Sequence, residues 1–458
     1  MAKKLLTVIA ALLISVFALC ACGYNPKPIP HEDYSKADVI GNGGLAVKQG
    51  NYLYFVNGLS DYTSSNKIGT VVKGAIMRYA LDEQGNVTGD PVTIVPKKVF
   101  SSYAGAGIYV FGDWIYYVTP SEVTSASGTT LTNYIEFMRT KVDGTGTQTI
   151  KRIDGNSTQY AFVNGSLIYY TDSKLVSINC ESKKETVISE HVSSYRIPKT
   201  VYKADSTATS ADNLIYFIES KPEDDKSSWS YNSLYAVTAD GAIKVKVISK
   251  ETYQEEGRED YTKFYTLSIS GYADGTLYFT KSYTAEGAGV SAGTFAYNFK
   301  DYMSADAKYE ATRETQIVAT DYSMIYPINA TTYLLADSSN MWTYATDSAT
   351  YTKLNGEDSF SVTGLIKAED GYVYYTGNGQ KMYRYKLDGT EVVEPLVRDT
   401  FDTTFMYPTL VAGSVYYFKN DDYKYCHVLK VGEKVSKQIG VMSEADASAK
   451  ASAEATAA

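Results

Sequence analysis

The chain has 458 residues and a formal net charge of −9, with 43 tyrosines against 15 phenylalanines and four cysteines. An acidic balance works against a phosphate backbone as partner, and so few cysteines exclude a disulfide-stapled scaffold. The tyrosine excess fits pleated, half-buried strands whose hydroxyls reach water or backbone. Helical periodicity is absent from nearly the whole chain after its first 22 residues.

Lys3 and Lys4 precede an apolar run, Leu5 to Leu19, broken only by Thr7 and Ser15. The run is too short and wrongly flanked for a stable spanning helix and reads as a cleavable export signal. It ends in Leu19-Cys20-Ala21-Cys22-Gly23, which resembles the lipobox of bacterial lipoproteins. Leu19 is apolar at −3 of Cys22 and Ala21 is small at −1, whereas Cys20 has the bulky Leu19 at its own −1 position. The resemblance implies cleavage after residue 21, acylation of Cys22, and an extracytoplasmic protein held at the cell surface by lipid. Loss of Lys3 and Lys4 with the leader takes the net charge from −9 to −11. Several acyl chains on one terminus anchor far more firmly than one. Ordinary secretion is the alternative.

Residues 22–43 carry Pro26, Pro28 and Pro30 and are expected to form an extended, semi-rigid tether. Residues 443–458 are Ala/Ser-rich without apolar periodicity and are expected to form a disordered tail.

Between these ends one pattern recurs: a Gly, Asn or Asp turn, then a strand with an aromatic pair. It reads Asn51-Tyr52-Leu53-Tyr54-Phe55, Asp113-Trp114-Ile115-Tyr116-Tyr117, Gly165-Ser166-Leu167-Ile168-Tyr169-Tyr170 and Asn213-Leu214-Ile215-Tyr216-Phe217. It continues as Gly275-Thr276-Leu277-Tyr278-Phe279, a weak copy at Thr332-Tyr333-Leu334-Leu335, Gly371-Tyr372-Val373-Tyr374-Tyr375 and Gly413-Ser414-Val415-Tyr416-Tyr417. Successive copies are 62, 53, 47, 62, 56, 40 and 42 residues apart. A second strand follows, often ending in an acidic turn, as in Met77-Arg78-Tyr79-Ala80-Leu81-Asp82 and Tyr383-Arg384-Tyr385-Lys386-Leu387-Asp388-Gly389. Further short strands lie upstream and downstream, for example Gly44 to Val47 and Val92 to Val95. Four strands per unit at this period predict an all-β fold: a β-propeller over residues 44–442, with eight blades favoured and seven left open.

Ile168-Tyr169-Tyr170-Thr171-Asp172 and the Arg384 to Gly389 turn resemble the YWTD-type propellers of lipoprotein-receptor ectodomains, and more closely the receptor-like propeller domains of unknown function on Firmicute lipoproteins. The resemblance implies ligand or protein binding rather than a shared chemistry. Cys180 and Cys426 fall three blades apart in an eight-blade ring, too far for the roughly 7 Å a disulfide spans, so both are expected to be buried thiols.

Units one, two, four and five carry long segments between the aromatic strand and the strand after it, about 57–75, 119–133, 219–233 and 281–293, while units three, six, seven and eight have room for a tight turn. Equivalent loops of a propeller share one face, and insertions gathered there mark a binding face. The candidate ligand contacts are Tyr62, Trp229, Tyr231 and Tyr283, beside the acidic run Glu223, Asp224 and Asp225. Gly289-Val290-Ser291-Ala292-Gly293 matches a nucleophile elbow only on paper, lacking the strand-to-helix setting. No two of His31, His191 and His427 have metal-ligand spacing, so neither metal nor cofactor is expected. The leading expectation is a lipid-anchored, monomeric binding or scaffold protein that engages a protein or glycan. The alternative is a polysaccharide hydrolase or lyase with paired carboxylates at the central channel.

Overall fold

The computed structural model describes residues 24–442 and Ser448, with interruptions at 60–64, 100–106, 123–133, 155–158, 198–200, 203–204, 223–229, 249–251, 255–261, 286, 355–361, 370, 378–379, 389–394, 398, 402–407, 421 and 423. The leader, Cys22 and nearly all of the tail lie outside the described residues.

Eight antiparallel blades of four sequence-consecutive strands follow one another. Blade 1 comprises Ala46–Gln49, Tyr52–Val56, Ile76–Leu81 and Val87–Val95. Blade 2 comprises Tyr109–Phe111, Trp114–Pro120, Tyr134–Lys141 and Gln148–Asp154. Blade 3 comprises Gln159–Val163, Ser166–Thr171, Lys174–Asn179 and Glu185–Ser189. Blade 4 comprises Val192–Arg196, Leu214–Pro222, Ser230–Thr238 and Lys244–Ile248. Blade 5 comprises Thr266–Ala273, Thr276–Ala285, Ala288–Asn298 and Glu314–Val318. Blade 6, grown from the weak repeat, comprises Met324–Pro327, Thr332–Ala336, Met341–Ala345 and Thr350–Lys353. Blade 7 comprises Val362–Glu369, Tyr372–Gly377, Lys381–Lys386 and Pro395–Val397. Blade 8 comprises Thr409–Val411, Ser414–Tyr417, Cys426–Lys430 and Lys437–Ile439. The protein is an eight-bladed β-propeller.

First strands of neighbouring blades lie against one another, so they line the axis. Because the strands alternate in direction, first–second and third–fourth turns share one face of the disc, the turn face. Second–third connections and blade-to-blade crossings share the other, the connection face.

The aromatic pair does two different jobs, because successive residues of a strand point to opposite sides. In blades 1, 4, 5 and 7 the second aromatic stacks on the third strand of its own blade, as Phe217 on Tyr235 at 5.1 Å and Tyr375 on Tyr383 at 5.4 Å between centroids. Tyr170 of blade 3 stacks instead on Tyr195 of blade 4. Tyr54, Tyr117, Tyr216, Tyr375 and Tyr417 are among the fully buried rings of the core, which runs between blades. Each such ring hides roughly 150–250 Å², on the order of 4–6 kcal/mol gross at about 25 cal/mol per Å² before ordering costs. The hydroxyl must still find a partner: Tyr117 Oη lies 3.0 Å from Thr140 Oγ1, and Tyr417 Oη donates to Asp399 at 2.6 Å.

The recurring arginine has its own place. Arg78, Arg139 and Arg384 sit opposite Tyr54, Tyr116 and Tyr374, and each lays its guanidinium on the ring two residues earlier. The distances are 4.1 Å to Tyr52, 4.1 Å to Trp114 and 4.6 Å to Tyr372, a diagonal cation–π contact in the same register of three blades.

Ring closure uses no exchanged strand. Val441, just past blade 8, meets the Asn57 side chain of blade 1 in two hydrogen bonds: Asn57 Nδ2 donates to its carbonyl at 2.9 Å and its N–H donates to Asn57 Oδ1 at 3.0 Å. Gly440 N–H donates to Tyr79 Oη, and Leu45 N–H donates to Thr409 Oγ1 of blade 8. Asn42 repeats the device between blades 1 and 2, donating to the Val110 carbonyl and accepting from its N–H. The segment Gly41 to Gly44 lies in the seam: a Cβ on Gly44 would press on Thr409 and one on Gly41 on Val411.

The proline segment, expected to be an extended, semi-rigid tether, is docked on the disc from Tyr24 onward. The Tyr24 ring lies against Gly69 in blade 1's second–third connection, on the connection face. Five residues on, Ile29 N–H donates to the Asp143 carbonyl in a turn of blade 2, on the turn face. Arg78 donates to the Pro30 carbonyl and to His31 Nδ1, and Tyr34 packs edge-on against Tyr52 at 5.3 Å. An extended proline-rich strand lies easily along an inter-blade groove, because its fixed φ leaves little chain entropy to lose. Val39–Ile40 then pairs with Gln49 and Lys48, adding a strand on the axial side of blade 1. Val201–Tyr202, from the first–second connection of blade 4, pairs on its far side and extends that sheet into the channel.

Candidate functional site

On the connection face, blades 4 and 5 do not carry loops where loops were expected. Strand pairing continues to Pro222 opposite Ser230 in blade 4 and to Ala285 opposite Ala288 in blade 5. The described parts of 219–233 and 281–293 are therefore paired strands that project beyond the blade, where loops were expected. Alternating Lys-Ser-Tyr-Thr and Val-Ser-Ala-Gly-Thr residues extend the ladder, and Gly287 at φ +81° closes the blade 5 turn. Blade 3 does turn tightly, through Asp172 and Ser173 at φ +48° and +63°. Blade 8 uses a longer connection, 418–425, rather than a tight turn, because its tip packs across the closure: a Cβ on Gly58 would collide with the Lys424 carbonyl.

Both projecting hairpins are rooted by ion pairs. Glu219, 6% exposed, accepts from Lys221 Nζ at 2.7 Å and from Ser189 Oγ at 2.6 Å, with Lys244 Nζ at 3.7 Å. Burial alone would raise the Glu219 pKa, but the Lys221 and Ser189 hydrogen bonds outweigh it and hold the carboxylate below its ordinary value. Lys281 and Glu314 pair at 2.8 Å with side chains 7% and 12% exposed, and the Lys281 ammonium lies 4.4 Å from the centre of the Phe295 ring.

Between the two hairpins the blade 4-to-5 crossing inserts a small hairpin, Thr252–Gln254 paired with Thr262–Phe264. Its last aromatic, Phe264, tilts against Tyr231 at 5.7 Å, and the next residue, Tyr265, meets Tyr283 edge-on at 5.7 Å. Asn232 Oδ1 accepts from Leu267 N–H across the blade junction. Two of the aromatics expected to contact ligand, Tyr231 and Tyr283, thus each carry a half-buried ring partner, Phe264 and Tyr265, supplied by consecutive residues at the end of the crossing. Tyr62, Trp229 and the acidic run 223–225 lie outside the described residues. Sequence reading passed over Phe264 and Tyr265. Their signal was the 62-residue spacing from Tyr216 to Tyr278, to which the inserted hairpin contributes beside the blade 4 loop.

The other two long connections differ. In blade 1 the described part of 57–75 is packed down: Asn66 Nδ2 donates to Thr119 Oγ1 and the Pro120 carbonyl, and Asn66 Oδ1 accepts from Lys98 N–H. Of the blade 2 connection, residues 123–133 lie outside the described part.

On the turn face, the docked segment and blade 2 enclose a groove of about 520 Å³ lined by Pro28, Pro30, His31, Asp33, Asp113 and Asp143 among others. Ser291, the nucleophile of the paper elbow motif, sits within the strand Ala288–Asn298 and donates to Asp321 Oδ1 at 2.6 Å. Cys180 and Cys426 are both free and buried, and burial pushes the Cys180 thiol up to about 12.

No family model matches the chain, and no curated protein matches its sequence. Among solved structures it is similar to the β-propeller domain of the Trilobed protease from Pyrococcus furiosus, at 10% identity and TM-score 0.37, over 85% of this chain and 92% of that one. It is similar to BamB from Moraxella catarrhalis, at 10% identity and TM-score 0.39, over 78% and 90% of the two chains. It is also similar to the tricorn protease, at 11% identity and TM-score 0.39, over 81% of this chain but only 35% of that protein's length.

Proposed function

We propose that this protein is a lipid-anchored extracytoplasmic binding or scaffold protein that engages a protein or glycan through the connection face at blades 4 and 5. The observation that carries the reading is a band of two aromatic pairs, Tyr231 with Phe264 and Tyr265 with Tyr283, drawn from two blades and the crossing between them. Aromatic side chains give large contact area for little rotamer entropy, and tyrosine adds a hydroxyl for a polar partner. Ion pairs at both hairpin roots support a band held ready rather than ordered on binding. The channel-centred hydrolase has less support, because Val39–Ile40 and Val201–Tyr202 continue the blade 1 sheet into the channel.

The test is a comparison of what the full chain and its Tyr231→Ala/Tyr283→Ala variant retain from envelope extracts and from a panel of cell-wall glycans. The reading expects a specific species lost by the variant while the melting transition is kept. Identical retention profiles overturn it.

A further inference from the structure

We infer that the hairpin-bearing connection face is the membrane-proximal face of the disc, so that a partner of the aromatic band is one held in or at the same membrane. The inference rests on the acylation of Cys22 proposed above. It starts from where the docked segment begins: the Tyr24 ring lies on Gly69, whose N–H donates to the Pro96 carbonyl just past the outer strand of blade 1. Both are features of the connection face.

The segment then crosses the edge of the disc between blades 1 and 2, reaching Asp143 on the turn face at Ile29. Five extended residues cover about 16 Å, the depth of a five-residue strand. The anchor therefore leaves the disc at the connection face, and the docked prolines prevent it from leaving at the turn face. Only Gly23 separates Cys22 from Tyr24. Two residues reach about 7 Å, too little to pass back around the rim and place the turn face on the bilayer.

On that same face the blade 5 hairpin runs from Lys281 to its turn at Gly287, several residue pairs beyond the core of the blade. At about 3.3 Å per residue it extends on the order of 13–17 Å toward the side on which the lipid leaves. The connection face thus carries both the anchor and the projecting aromatics, while the turn face carries the Gly and Asp turns and two longer connections, those holding Val201–Tyr202 of blade 4 and Ala311–Arg313 of blade 5. A long free tether would have left the orientation open. The docking of residues 24–34 removes that freedom.

The experiment uses the full chain, processed in a bacterial host and reconstituted in phosphatidylcholine vesicles containing a headgroup nitroxide quencher. Ala288→Cys places a fluorophore on the connection face of blade 5, and Lys300→Cys places one on the turn face of the same blade; both positions are exposed, and Cys180 and Cys426 are buried. The inference expects quenching at residue 288 at least threefold stronger than at residue 300. It also expects the contrast to collapse when ten Gly/Ser residues are inserted after Gly23. Equal quenching, or stronger quenching at residue 300, in protein whose mass carries the lipid overturns the orientation and leaves the anchor reading standing. A mass without lipid overturns the anchor reading, and this inference with it.

Discussion

The Asn57 carboxamide and the Val441 backbone close the ring, giving and receiving one hydrogen bond each across 384 residues of sequence. Asn57 is 3% exposed, and the same Nδ2 also donates to the Val72 carbonyl at 3.0 Å. A backbone needs both a donor and an acceptor from its partner here, and a primary amide supplies the pair on one rigid plane. Blade 8 has no strand borrowed from elsewhere, so this clamp stands where an exchanged strand would.

Asn57→Ala should lower stability by about 1–3 kcal/mol, because three part-buried backbone groups lose their bonds to the buried Asn57 side chain. Asn57→Asp should also destabilise, since a carboxylate cannot donate to the Val441 and Val72 carbonyls. Thermal unfolding checks both, and protease cleavage near residue 440 should quicken in each variant.

Glu314→Gln removes the negative charge paired with the Lys281 ammonium at the root of the blade 5 hairpin. Removing one partner of a buried pair costs about 3–5 kcal/mol, reduced here by the Phe295 ring that still faces the ammonium. Lys281→Met with Glu314→Leu should recover most of that loss. Urea unfolding of the single and double variants measures the difference.

Acidification should loosen the docked N-terminal segment. Arginine has no acceptor, so His31 Nδ1 receives the Arg78 proton and is neutral in this contact. Burial first, then the Arg78 charge, hold the His31 pKa below its ordinary value, against the opposing pull of Asp113, Asp143 and Asp33. A lowered folded-state pKa means the unfolded segment binds the proton better. The contribution is complete above about pH 6.5 and is lost as pH falls from there through the folded value. Protection of the Ile29 amide against hydrogen exchange, taken relative to the intrinsic rate at each pH, should fall between pH 7.5 and 5, and His31→Asn should flatten that fall.

Arg78→Ala should release the same segment at every pH, since it removes the bond to the Pro30 carbonyl and the contact with Tyr52. Limited proteolysis between Tyr24 and Tyr34 should accelerate several-fold. Arg384→Ala, with the equivalent ring contact in blade 7, should leave that cleavage unchanged.

By itself the sequence determined the repeat. Aromatic pairs recur because strand alternation sends one ring toward the core and, in blades 1, 4, 5 and 7, the next onto the third strand of the same blade. Counting the copies favoured eight blades and left seven open; the structure decides for eight, because the weak copy at Leu334 keeps enough apolar residues to form a blade. Turn chemistry such as the Gly165 and Gly275 positions at φ +77° and +78° was legible for the same reason. Only the tertiary structure decided what depends on contacts between distant segments. That Asn57 closes the ring, that a proline run read as a tether lies in a groove beside Arg78, and that Phe264 meets Tyr231 while Tyr265 meets Tyr283 are pairings between distant segments. No residue in those segments carries a local propensity for its partner. The geometry of the closed disc, which sets which ends share a face, brings them together.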